Sequence, residues 1–160
     1  NPEALAQYVA QSAGNPPAFL DTWNGYPVAR AKFLDDLARY AKNPVVLSGD
    51  LHTAMCNELL RAGDEQPVAI ELMPPSVTSP GFAQYLPERH PGAIRDAAMA
   101  LNPWVRYMDT DKRGWMSVTF DHDECSAEWH LLDTVHDKKY TSTIDRRFVA
   151  AAGKIGDGVS

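Results

Sequence analysis

The chain reads as an α/β domain, and three features carry that reading. Residues 27–42 place Ala31, Leu34, Leu37, Ala38 and Ala41 on one helical stripe. A short apolar run at residues 45–47 follows at once, as a buried strand would. From Val105 onward the pattern changes to alternating segments separated by turn residues.

Taken in order, residues 2–12 carry Leu5, Tyr8 and Val9 at helical spacing, and Gly14 before Pro16-Pro17 ends that segment. A loop with Phe19 and Trp23 comes next, and Pro27 suits the first turn of the second helix. Residues 53–61 fit a short helix or a strand, and residues 68–72 alternate as a strand. Residues 74–92 hold five prolines and two glycines, which predicts a long irregular loop of the kind that is functional or mobile. Residues 105–108 and 115–120 are expected to form a hairpin around residues 109–114, with a third antiparallel strand over residues 127–135. Residues 1–152 thus form one domain and residues 153–160, with three glycines, a flexible tail.

Val45 to His52 is the most informative stretch, reading Val-Val-Leu-Ser-Gly-Asp-Leu-His. In an extended chain residues i and i+2 point to one side, so Asp50 and His52 would face a common pocket. A carboxylate with an imidazole suits iron, zinc or manganese, and a metal with an open position activates water. The same residues also suit a plain loop, with Asp50 capping the next helix and His52 packed or solvated beside it.

Composition narrows the function classes. With 160 residues, 44% hydrophobic and a net charge of -6, the chain is a globular domain with no long-range attraction for nucleic acid or anionic membranes. No run of 18 apolar residues spans a bilayer. Cys56 and Cys125 allow one disulfide or two buried thiols.

The remaining constellations are weaker. His122, Cys125 and His130 lack the spacing of paired metal ligands. Asp109, Asp111, Lys112 and Arg113 lack the central glycine and terminal glutamate of a calcium loop, and read as a solvated turn. Ser76, Thr78 and Ser79 have no motif-placed His and Asp partners for a serine hydrolase. Arg106 and Arg113 suit either a bidentate phosphate clamp or the surface. The terminal Gly-Lys-Ile-Gly-Asp-Gly lacks phosphate-loop spacing.

Asp21-Thr-Trp-Asn-Gly-Tyr-Pro27 with Arg30, followed by Leu47-Ser-Gly-Asp-Leu-His-Thr53, resembles the PhoD-like alkaline phosphatase family of the metallophosphoesterase superfamily. Three further stretches recur in the same order: Pro74 to Gly81, Asn102 to Asp109, and Arg113-Gly-Trp through Ala127-Glu-Trp-His130. Asn24 stands where the family carries Asp. The resemblance implies the later half of an αββα sandwich, two mixed sheets covered by helices, with an antiparallel C-terminal β-meander. It implies hydrolysis of phosphate esters at a multinuclear centre of iron and calcium, with Asp50 and His52 as metal ligands and Asn57 as a weaker candidate for metal or substrate. The other ligands would lie in a preceding, N-terminal half of the same protein, and this chain would be inactive by itself. A periplasmic or extracellular location is implied as well. The alternative is a non-catalytic module that completes an active site or mediates protein interaction.

Overall fold

The computed structural model describes residues 22–81, 84 and 92–154. The helix expected over residues 2–12, Phe19, and most of the tail lie outside the described residues. A 3-10 turn at Trp23–Gly25 leads into helix α1, Pro27–Tyr40, where proline occupies a position whose N–H needs no intrahelical partner. Leu34 is the helix's buried residue, and Phe33 stacks on Trp23 with ring centroids 5.2 Å apart. The Lys32–Asp36 pair is exposed and contributes little. The helix stops as Ala41 turns extended and Asn43 takes a φ of 54°.

Strands β1 (Val45–Leu47), β2 (Ala54–Leu59) and β3 (Ala69–Met73) follow, so the helix-or-strand ambiguity over residues 53–61 resolves as strand. Helix α2, Ala93–Leu101, then precedes β4, Val105–Asp109. No element was expected over α2, although Ala97, Ala98 and Leu101 already carry helical spacing. These strands form sheet A in the order β1-β3-β2-β4, with β1 parallel to β3 and the other pairs antiparallel.

Sheet B is an antiparallel meander of β5 (Gly114–Phe120), β6 (Glu124–Leu132) and β7 (Ser142–Ala151). The C-terminal meander therefore stands, and the architecture is α/β with one mixed and one antiparallel sheet. The expected β4–β5 hairpin does not form: β4 pairs with β2, and β5 with β6. Asp109 Oδ1 accepts the backbone N–H groups of Asp111 and Lys112, at 3.0 and 2.7 Å. This Asx turn carries the chain from one sheet to the other instead of closing a ladder. Strand β7 was not foreseen, because Asp145, Arg146 and Arg147 interrupt any alternation and only Phe148 and Ala150 of the strand are buried.

The core lies between the sheets. Ala54, Cys56, Ile70, Leu72 and Tyr107 of sheet A meet Cys125, Ala127, Trp129, Phe148 and Ala150 of sheet B. Trp129 is fully buried, 5.2 Å from the Tyr107 ring and 5.9 Å from Phe148, and its indole N–H donates to Met73 O at 2.9 Å. Both cysteines are free and buried, and desolvation pushes the Cys56 thiol up to about 12. Tyr107 donates to Asp145 Oδ2 at 2.9 Å; burial first, and this bond second, hold its phenol far above the usual range. Gly153, the first residue of the expected tail, donates its N–H to Asn43 Oδ1 at 2.5 Å and so is tied to the body.

Candidate functional site

The sheet order dictates the local geometry around Asp50 and His52. Strand β3 lies between β1 and β2, so residues 48–53 must step over its end and reverse direction, a lateral span of about 10 Å. Ser48 still rides on β3, donating its N–H to Leu72 O at 3.2 Å. Beyond it the chain leaves the extended region: Asp50 has a φ of 72° and His52 a φ of 57°. The expected strand-end alternation is therefore replaced by a turn with two left-handed residues. Asp and His tolerate this region better than most side chains, yet each such residue costs on the order of 1–3 kcal/mol. Strain of that kind concentrates at functional turns.

Asp50 is exposed, and its carboxylate has no hydrogen bond or ion pair among the described residues. His52 is half-exposed, with Nδ1 3.0 Å from the carbonyl oxygen of Pro80. A carbonyl can only accept, so this bond places the proton on Nδ1 and leaves the Nε2 lone pair for another partner. Ser48 Oγ, in the same turn, is buried without a hydrogen-bond partner. An anionic oxygen and a ring nitrogen two residues apart are donor types that suit part of a metal's coordination shell. They do not complete one. Among the described residues, no group of three or more His, Cys, Asp and Glu side chains gathers to hold an ion.

The loop that supplies Pro80 is itself held by a second set of bonds. Arg113 donates from Nε to Ser79 O at 3.0 Å, from Nη1 to Asp111 O at 2.8 Å and from Nη2 to Gln84 Oε1 at 2.5 Å. Ser76 Oγ donates to the same Ser79 carbonyl at 2.6 Å, and Gly114 N–H to Ser76 O at 3.0 Å. Gly81 is buried where a Cβ would come within 2.6 Å of Thr110 O, so only glycine permits this approach. Arg106 instead lies 3.8 Å from Glu58.

Asn57 sits elsewhere. It is buried in mid-β2, three residues past the strand's start and so about 10 Å further along it. Its Nδ2 donates to Glu71 Oε2 at 2.8 Å, while Oδ1 has no partner. The pair lines a groove of about 780 Å³ with Arg30, Trp23 and Trp104. A second groove of about 800 Å³ runs along β4 and is lined by Arg95, Arg106, Asp109 and Asp145. Neither groove includes Asp50 or His52. His130 is also apart: its ring stacks on Trp115 at 3.7 Å, with Glu128 Oε2 3.5 Å from Nε2.

Sequence reasoning missed Glu71, Pro80 and Arg113 as supporting groups. Glu71 had a signal, a lone carboxylate inside Ala-Ile-Glu-Leu-Met. The pairing of Pro80 with His52, 28 residues away, left none.

Comparison with known proteins agrees with this architecture. Alkaline phosphatase D of Bacillus subtilis (strain 168) is 23% identical over 135 residues, covering 82% of this chain and 22% of that protein. A solved structure of PhoD superposes with a TM-score of 0.72 at 22% identity, covering 88% of this chain and 26% of its own. The chain thus spans about a quarter of the length of the relatives it matches. The family model for PhoD-like phosphatase matches residues 2–129, most of the sequence, and the chain belongs to that family.

Proposed function

We propose that the protein containing this chain hydrolyses phosphate esters, phosphomonoesters foremost, with Asp50 and His52 serving as ligands of a metal centre. The observation that supports this most is the turn between β1 and β2. It holds an unpaired carboxylate and an imidazole whose Nδ1 is engaged, leaving Nε2 available. Bound iron and calcium, the metals that the resemblance implies, would neutralise phosphoryl oxygens and lower the pKa of a water nucleophile. Asp50 supplies negative charge to the site, and His52 a neutral nitrogen oriented by Pro80 O. The remaining ligands are proposed to come from outside these 160 residues, since the chain spans 22% of its curated relative. Asn57 is proposed as a supporting residue, through Glu71, of the neighbouring sheet face. An exported location, periplasmic or extracellular, is proposed on the strength of the same kinship; no helix among the described residues is long and apolar enough to cross a membrane.

The test is a pair of substitutions in the full-length protein. His52→Ala should lower turnover of a chromogenic phosphomonoester by roughly 10²-fold or more, with a matching loss of metal by inductively coupled plasma analysis. His130→Ala should have a mild effect, since that ring packs on Trp115 at the sheet surface. Equal, mild losses with metal content unchanged would reject His52 as a ligand. A second reading is a non-catalytic role for the 160-residue chain by itself; among the described residues no three His, Cys, Asp or Glu side chains gather to hold an ion.

A further inference from the structure

We propose that Arg113 is a positioning residue for His52, acting through the backbone of residues 79–81 to set which imidazole nitrogen is free. The inference rests on the reading of His52 as a metal ligand, but its structural half can be measured without any metal.

Arg113 holds three acceptors at once: a carbonyl on the Pro80 loop, a carbonyl of its own turn, and the Gln84 side chain. The Ser79 carbonyl lies one peptide before the Pro80 carbonyl that engages His52 Nδ1. Fixing the first limits the rotation of the second. Ser76 Oγ reinforces the same carbonyl, and Gly81 seats the far end of the peptide against the Thr110 carbonyl with no room for a side chain. The Pro80 carbonyl is thus pinned on both sides while it faces the imidazole. Since that carbonyl demands a proton on Nδ1, it leaves Nε2 as the lone-pair nitrogen, the arrangement found for histidines that ligate metals. The role requires the fork of a guanidinium, because one ammonium cannot serve three acceptors spread about a plane.

The experiment reads the tautomer of His52 by long-range ¹H–¹⁵N correlation in the 160-residue chain, at a pH where the ring is neutral. The wild type should show the proton on Nδ1. Arg113→Ala and Arg113→Lys should each lower the ratio of Nδ1–H to Nε2–H by roughly five- to tenfold, the size one net hydrogen bond supports. Gly81→Ala, which disturbs the same peptide from the other end, should act alike, whereas Arg147→Ala on the outer face of sheet B should change nothing. A wild-type ring protonated on Nε2 would overturn the proposal even if no variant folds. So would a Lys variant that keeps the wild-type ratio, since that leaves only a charge at position 113. Metal content of the full-length protein separates the two ideas: a tautomer shift with His52→Ala still fully loaded upholds the positioning and sinks the ligand reading. Loss of metal in His52→Ala with no tautomer shift in the Arg113 variants does the reverse.

Discussion

Replacing Trp129 should separate the packing of the two sheets from the bond that joins them. The side chain is wholly buried between Tyr107 and Phe148, and its N–H meets the carbonyl of Met73, the last residue of β3. An indole of this kind removes about 150–250 Å² from water, or roughly 4–6 kcal/mol at about 25 cal/mol per Å². Part of that gain already exists in a compact unfolded chain, so about 3–5 kcal/mol is the better expectation for packing. Loss of the indole donor from the Met73 carbonyl adds about 1–3 kcal/mol. Trp129→Ala should therefore cost about 4–8 kcal/mol, enough to unfold a domain of ordinary stability. Trp129→Phe keeps an aromatic ring between its neighbours and should cost about 2–3 kcal/mol, most of it from the lost donor. Equilibrium urea unfolding followed by far-ultraviolet circular dichroism measures both, with m unchanged if the transition remains two-state. A Phe variant within about 0.5 kcal/mol of wild type would refute the reasoning, because the Met73 bond would then contribute nothing.

Gly114→Ala should destabilise the chain by about 3 kcal/mol in the same assay, since a Cβ would collide with the His130 carbonyl, whose carbon and the Leu131 Cα both lie 3.0 Å away. Wild-type stability in that variant would show that β5 and β6 are not so closely apposed. Stability should also fall with alkali. Burial raises the Cys56 thiol from 9.0 to about 12, so its contribution is complete below pH 9 and is lost as pH climbs towards 12. Cys56→Ala should flatten that slope; an unchanged slope between pH 9 and 11 would assign it to other groups. The 160-residue chain, supplied with iron and calcium, should leave a chromogenic phosphomonoester essentially uncleaved, because catalytic metals generally require three or more protein ligands. Robust turnover by the pure chain would mean that it carries a complete site.

The sequence by itself determined the elements whose signals are local. Pro27 and the stripe through Leu34 specified α1, three apolar residues after Pro44 specified β1, and ordered motifs carried the family. The alternation around Trp129 specified β6, because a strand with one buried face must repeat every second residue. Where local pattern and tertiary demand diverge, only the structure decided. Strand β4 looked like half of a hairpin, yet Tyr107 is buried against Trp129 only if β4 joins sheet A and the Asx turn carries the chain across. Strand β7 needed β6 as a partner before its charged middle could be strand at all. The same holds at the site. The residue types of Asp50 and His52 are written in the chain, but their left-handed turn exists because β3 inserts between β1 and β2. The carbonyl that orients His52 arrives from a loop 28 residues away, held by an arginine from a third segment. Spacing along a chain carries no record of such meetings, which arise only when the sheet brings distant backbone to one edge.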